Sequence, residues 1–425
     1  MIAVTTKKTI VVIGGGAAGM MASYAGAEQG CHVILLEKNV RLGRKMLITG
    51  KGRCNITNEC TVPQLVKSMV GNGKFLYSAF SNFSAEDTIG WFSRGGVPLK
   101  TERGQRVFPQ SDRSADIVNF MERKLRRAGA DVRFHAEAKE LCVKNNTVTG
   151  VRLADHKIVS ADAVILATGG ISYPLTGSTG DGYVMAERLG HTVNPRFPAL
   201  VPLVVKEPWI KELEGLSLRN IEVSVKRREK ILGKEFGEMV FTDDGLSGPV
   251  ILTLSRFCSV HFLEHPEEPL ALSINLKPAL SEKQLDGRLL REFDIHPKRN
   301  YRTLLEDLLP KKLIPVFVIL SGIDPWKQGN QLNRNDRKTI RTLLQAFPFT
   351  VISCRPIEEA IITAGGVSVK EVDPKTMASK KVRGLYFAGE ILDVDGITGG
   401  FNLQAALSMG YQSGISAAKF CQNGT

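Results

Sequence analysis

Three glycines and one carboxylate near the amino terminus are spaced for chemistry on a dinucleotide. Gly14, Gly16 and Gly19 stand as G-x-G-x-x-G directly after the β-branched run Ile10 to Ile13. Gly14 permits a tight turn, Gly16 lets backbone approach a pyrophosphate, and Gly19 lets a helix pack closely on the strand. Small residues from Ala17 to Ala27 continue that close packing. A second apolar run, His32 to Leu36, ends in Glu37. That acid lies where a carboxylate accepts the ribose hydroxyls of an adenine dinucleotide, and it argues against a 2′-phosphate there.

The next stretch, LGRKMLITGKGRCNITN from Leu42 to Asn58, sets Arg44, Lys45, Lys51 and Arg53 among three glycines around Cys54. A Walker loop is excluded, because Gly52 follows Lys51 where Ser or Thr is required. A nucleic-acid patch alone would not need the glycines. Cations and open backbone N–H groups are what a diphosphate needs. The stretch reads as a loop that closes over a cofactor diphosphate and runs on toward its reactive end. Cys54 reads first as a small packing residue and second as a candidate for chemistry.

Two later segments complete such a site. ADAVIL, Ala161 to Leu166, is an apolar strand followed by Ala167-Thr168-Gly169-Gly170. Small residues at a strand end admit a large flat ligand. GLYFAGE is a further strand ending at Gly389-Glu390, and Gly399-Gly400-Phe401-Asn402-Leu403-Gln404 opens a small-residue helix to about Ala418. A helix N-terminus aimed at a flavin ring would stabilise negative charge near N1 and the C2 carbonyl. The two ends of the chain are thus expected to build one FAD site.

The elements that must carry these residues define an α/β chain. Residues 1–195 and 346–425 read as two parts of one Rossmann-like FAD-binding domain. Pro195, Pro198, Pro202 and Pro208 mark the exit from it, and Pro348 and Pro356 the return. Between them, residues 196–280 show short alternating runs and read as a β-rich, barrel-like domain. Residues 281–345 carry helical periodicity in SEKQLDGRLLREF and NDRKTIRTLLQAF and read as a helical cap.

Composition narrows the classes. Of the 425 residues 43% are hydrophobic and 23% charged, the balance of a water-soluble protein with a real core. No apolar run reaches the roughly 18 residues of a membrane span. No secretion signal is evident, so a cytoplasmic location is expected. Seven scattered cysteines fit a reducing compartment, and no metal-ligand spacing is present, so no metal is expected. Net charge is +13, with +9 in residues 1–195, +4 in 196–345 and zero in 346–425. Residues 275–345 hold 14 Lys and Arg against 8 Asp and Glu. Arg288, Arg291, Lys298, Arg299, Arg302, Lys311, Lys312, Arg334, Arg337, Lys338 and Arg341 could form a face for phosphates. The plainer reading is a set of solvated helix faces. The insertion has few exposed-looking aromatics, so base stacking on it is not evident.

Seven motifs together resemble one family. They are GGGAAG; GRKMLITGKGRCNITN; RGQRVFPQSDRSADIV; ATGGISYPLTGSTGDGY; FTDDGLSGPVIL; TAGGV; and GEILDVDGITGGFNLQAALSMG. They span almost the whole chain, which is similar to the BaiN/RdsA (YhiN-type) family of FAD-dependent oxidoreductases. The resemblance implies an FAD domain of the fumarate-reductase-like type. It implies cofactor contacts from Gly14, Gly16, Ala17, Ala18, Gly19, Glu37, Lys38, Arg44, Lys45, Gly50, Arg53 and Asn55. Further contacts are expected from Ala167, Thr168, Gly169, Asp181, Gly389, Glu390, Gly400, Asn402, Leu403 and Gln404. It also implies one of two activities: reduction of a ring C=C bond in oxo-bile acids, or reduction of a uridine in large-subunit ribosomal RNA to dihydrouridine.

Reduction of an activated C=C bond needs hydride from reduced flavin, a proton from an acid, and donors for the conjugated carbonyl. Tyr173, in the SYP motif, is the expected acid. Arg106 is the expected carbonyl or flavin donor, and Cys54 the third candidate. Only one dinucleotide fingerprint is present, and FAD fills it, so NADH or NADPH would bind transiently at the flavin face. Three functions follow: an rRNA uridine reductase, favoured by the charge; a small-molecule ene-reductase on a conjugated carbonyl; and a flavin-holding RNA-binding protein without turnover.

Overall fold

A computed structural model describes residues 7–423 and divides the chain into two units. The first comprises residues up to Pro198 and from Ile357 onward; the second is Ala199–Pro356.

The first unit is built on a five-stranded parallel sheet. Its strands are Thr9–Ile13, His32–Leu36, Asp131–Arg133, Ala163–Leu166 and Leu385–Phe387. In chain order they lie 3-2-1-4-5, the order of a dinucleotide-binding half. Ile10, Val11, Val12, Val33 and Leu35 are almost wholly buried, which is why these runs are β-branched rather than alternating.

The helix Ala17–Glu28 is nearly all small and apolar because it is enclosed on most sides. The long helix Phe401–Asn423 lies against it. A Cβ at Gly410 or Gly414 would overlap the carbonyl oxygens of Ala18 and Ala22, so the small residues set how near the helices come. The C-terminal helix runs to Asn423 rather than to Ala418.

The second unit holds a closed six-stranded barrel. Its strands are Leu203–Val205, Ser217–Arg227, Lys230–Phe241, Gly245–Ser247, Leu270–Asn275 and Phe347–Cys354. Two sequence expectations change here. The return expected at residue 346 comes later, because Phe347–Cys354 pairs with Leu270–Asn275 and Leu203–Val205 to close the barrel. Within the barrel, residues 221–232 form a hairpin that turns between Arg227 and Lys230. The helical stretch is not a separate cap: Leu285, Leu289, Ile340 and Leu344 share one core with the barrel's Leu272, Ile274 and Phe347.

The helices Glu282–Ile295 and Arg334–Gln345 start where their polar residues predict. Ser281 and Asn333 accept from the first-turn amides, each in a capping box. The intervening NYRTLLEDLLPKKLIPVFVIL breaks into short pieces, including Tyr301–Leu304 and Ile314–Ser321, with Pro310 between them.

Candidate cofactor cradle and active site

The carboxyl ends of the parallel strands converge on the glycine turn. Gly14 sits at φ +104°, and a Cβ there would press on Ala167 O at 2.5 Å. A Cβ on Gly19 would overlap the Gly14 carbonyl oxygen. A Cβ on Gly16, by contrast, would meet nothing within 4 Å. Gly14 and Gly19 are therefore spent on chain packing, while Gly16 faces open space at the start of Ala17–Glu28. That is the place for an anion on a helix N-terminus.

Glu37, at the end of the second strand, is buried. Its Oε2 accepts from the Gly15 amide at 2.8 Å, and its Oε1 from the Asn39 amide at 2.8 Å. The carboxylate expected at the ribose is thus fixed from both sides. Asn39 also takes Arg44 Nη1 on its Oδ1 at 2.5 Å.

The Leu42–Asn58 stretch is tied to the glycine turn, since the Gly43 amide donates to Gly15 O at 2.9 Å. It begins as a short helical turn at Arg44 and then twists sharply. Gly50, Lys51, Gly52 and Cys54 all have positive φ, between 58° and 82°. Left-handed Lys51 and Cys54 are strained positions of the kind that gather at binding sites. Here they bring Asn55 beside the C-terminal segment: a Cβ on Gly400 would lie 2.9 Å from Asn55 Oδ1.

Lys45 anchors a polar cluster between the strand ends. Its ammonium donates to Ser172 Oγ at 2.7 Å and pairs with Glu390 Oε2 at 2.8 Å. The Thr363 amide donates to Glu390 Oε1 at 2.7 Å, and Thr363 Oγ1 accepts from the Ile171 and Ser172 amides. Ser172 and Thr363 lie in the SYP and TAGGV motifs but were not among the expected contacts. Only the partner choice of Lys45 and Glu390 exposes them.

Several expected cofactor contacts are committed within the chain. Lys38 pairs with Asp181 at 2.6 Å and donates to Thr179. Burial alone would raise the Asp181 carboxyl, but Lys38 and Thr179 outweigh it and hold it below the ordinary value. Arg53 is clamped by Glu102 and by Asp112, the latter at 2.7 Å, with its guanidinium 4.2 Å from the Phe108 ring centroid. It therefore ties this loop to the Leu99–Glu102 and Arg106–Pro109 hairpin rather than reaching for a diphosphate.

Asn402 bonds both ways with Gly396 through its side-chain amide. Gln404 is wholly buried; it accepts from Thr57 and donates to Phe83 O and Ser408 Oγ. Both amides hold the start of the last helix. Leu403 is half-buried, and Gly389, at φ +84°, packs against Ala18.

Of the catalytic candidates, Cys54 is wholly enclosed, and burial pushes its thiol up to about 12. It is a packing residue at physiological pH. Tyr173 is half-buried at φ +50°, with its amide on Glu358 O at 3.0 Å. Arg106 donates from Nε to Arg103 O at 3.0 Å. Among the described residues, no hydrogen bond or ring contact joins Tyr173 to Arg106. One grouping of metal-ligating type exists among the described residues, on the second unit. Glu292, His296 and Asp307 bring ligand atoms within 4.8 Å of one another, and Arg299 pairs with Asp307 at 2.9 Å.

Two buried oxygens at the cradle have no partner in the chain: Asn55 Oδ1 and Thr168 Oγ1. Buried polar atoms are seldom left so. Together with the open face of Gly16 and the fixed Glu37, they fit a large polar dinucleotide.

Fold and cradle define the class: a Rossmann-type FAD-dependent oxidoreductase. The HI0933-like protein Rossmann domain family matches residues 8–416, and the chain belongs to it. It is 32% identical over 412 residues to the 3-dehydro-bile acid delta(4,6)-reductase of Clostridium scindens, covering 96% of this chain and 99% of that one. It is 31% identical over 398 residues to the ribosomal RNA dihydrouridine synthase of Escherichia coli, covering 94% and 95%. Among solved structures, a flavocytochrome c3 fumarate reductase in an open conformation superposes with TM-score 0.52 at 17% identity, over 99% of this chain and 80% of that one. Among the described residues, no helix is long and apolar enough to cross a membrane.

Proposed function

We propose that this protein reduces a uridine of large-subunit ribosomal RNA to dihydrouridine in the cytoplasm, with NADH or NADPH as electron donor. The observation that carries this reading is the net charge of +13. Identity alone does not separate the two kinds of relative, at 32% and 31%. A polyanionic substrate gives the excess charge a task, and a small carbonyl compound does not.

Bound FAD supplies hydride chemistry. The chain's own residues do the rest. Glu37 holds the ribose, the open Gly16 face admits the diphosphate, and the Lys45–Glu390–Thr363 cluster fixes the strand ends around the cofactor. Asn55 and Thr168 supply the two oxygens that still need donors. Tyr173 is the proposed acid: reduction adds hydrogen to both carbons of the C=C bond, and Tyr173 Oη gives the proton. Arg106 holds the conjugated carbonyl.

The decisive measurement is dihydrouridine in large-subunit rRNA from cells with and without the gene. Loss on deletion and restoration by the gene are expected. No change sinks the rRNA reading and moves the assignment to a small conjugated carbonyl substrate, the reading the bile-acid reductase relative favours. Oxidation of NADH with and without rRNA separates either enzyme from a non-catalytic flavin holder. Tyr173→Phe should cut turnover about 100-fold while FAD stays bound; unchanged turnover removes Tyr173 as the acid.

A further inference from the structure

The second unit carries an exposed tryptophan on a fixed backbone among cations. Trp326 is 66% exposed. Its segment, Pro325 to Asn330, runs antiparallel to Pro297–Arg302. The Tyr301 amide donates to Lys327 O at 2.8 Å, and the Arg302 amide to Pro325 O at 3.1 Å. The Gly329 amide donates to Arg299 O and the Asn330 amide to Pro297 O, each at 3.0 Å. Asp324 Oδ1 accepts from the Trp326 amide at 3.0 Å. Tyr301, wholly buried, and Ile323, also buried, root the two segments in the core. The indole is therefore outside while its backbone is ordered in advance.

The two segments hold four cations. Arg299 pairs with Asp307, and Lys327 with Asp336. Lys298 and Arg302 are exposed and, among the described residues, in no ion pair, and Arg302 is one rung from Trp326. Neither segment contains an acid; Asp324 immediately precedes the second. The other highly exposed aromatic of this unit, Phe236, differs. It lies between Glu235 and Glu238, and the nearby Lys234 is paired with Glu222.

We propose that Trp326, with Lys298 and Arg302, is a docking platform for single-stranded RNA. The indole face takes an unpaired base, and the two cations take the flanking phosphates. A flat aromatic with adjacent unpaired cations is the combination that binds single strands without sequence preference. Ordering cost is low because the backbone is already held. This platform rests on the rRNA reading above and names where on the second unit the substrate is gripped.

The test uses the FAD-loaded full chain, transcribed large-subunit rRNA as probe, and a salt series. Trp326→Ala should weaken binding about tenfold or more, and Trp326→Phe should keep most of it. Lys298→Glu with Arg302→Glu should weaken binding and flatten the log–log salt slope by about 1.4. FAD content and thermal midpoint, unchanged in all variants, show that the fold is intact. If the unaltered protein binds rRNA and Trp326→Ala binds it equally, the platform is wrong and the rRNA reading stands. If the unaltered protein does not bind rRNA, both fall. Loss of a protein contact in Trp326→Ala with RNA binding unchanged also overturns the platform.

Discussion

The two units spend their charges differently. Around the cradle, cations meet carboxylates of the same unit: Lys38 with Asp181, Lys45 with Glu390, Arg53 with Glu102 and Asp112. These pairs tie segments far apart in sequence, up to 345 positions for Lys45 and Glu390. On the helices of the second unit some cations are paired, as Arg337 and Arg341 are with Asp286. Among the described residues, Arg288, Arg291, Lys298, Arg302, Lys311, Arg334 and Lys338 are in no ion pair. Charge at the cradle is architecture that leaves room for a ligand; charge on the helices is partly surplus. The uniform basic face read from the sequence is therefore a mixture, with Arg299, Arg337 and Arg341 neutralised by carboxylates and Lys312 bound to Glu214 O.

The largest expected effect tests the cradle glycines. Gly19→Val places side-chain atoms where the Gly14 carbonyl oxygen already is. No soluble flavin-containing protein is expected. Gly16→Ala places a methyl in open space, so the chain should fold with an unchanged midpoint and lose FAD affinity at least tenfold. FAD content and thermal melts of the two variants check this. Equal FAD binding in Gly16→Ala and wild type would break the division between packing and ligand glycines.

A second expected effect comes from acid, again in the first unit. Burial would by itself raise the Glu371 carboxyl, but Lys381 and Thr192 outweigh it and hold it at about 2, against 4.5 ordinarily. Its depressed value means the stability it contributes is fully present above about pH 4.5. That stability is lost as pH falls toward 2. His191, beside it, is lowered by burial and adds a smaller loss as pH falls below its ordinary 6.5. Glu371→Gln should remove part of the pH dependence between 4.5 and 2, the rest coming from other lowered carboxylates such as Asp181. Parallel urea midpoints for both proteins across that window would contradict the assignment.

Legibility follows the same division. The glycine turn and the acid after the second strand were legible because Gly14, Gly16, Gly19 and Glu37 stand in one local stretch. What stayed hidden depends on which partner a side chain chooses across hundreds of residues. Arg53 reads as a phosphate cation, and its pairs with Glu102 and Asp112 carry no signal in the sequence. Asn402 and Gln404 read as cofactor contacts, and their side-chain bonds to Gly396, Thr57 and Phe83 could not be read from the sequence. Ser172 and Thr363 carried no signal without Lys45 and Glu390. Trp326 was missed because exposure of a lone aromatic in DPWKQG has no sequence period.

The smallest expected effect sharpens the contrast within the second unit. Arg337 and Lys338 are neighbours on the helix Arg334–Gln345, yet Arg337 is paired with Asp286 at 2.9 Å and Lys338 is exposed and unpaired. A phosphate can gain a counter-charge from Lys338 at once, but from Arg337 only after its pair is broken. Lys338→Gln should lower the RNA salt slope by about 0.7 if it meets a phosphate, with stability unchanged. Arg337→Gln should leave the slope alone and cost about 0.5–1 kcal/mol of stability, the scale of a partly exposed pair. Slopes from the same salt series and urea midpoints decide it. If both variants lower the slope equally, pairing does not govern which cations meet RNA, and the whole face acts as one diffuse field.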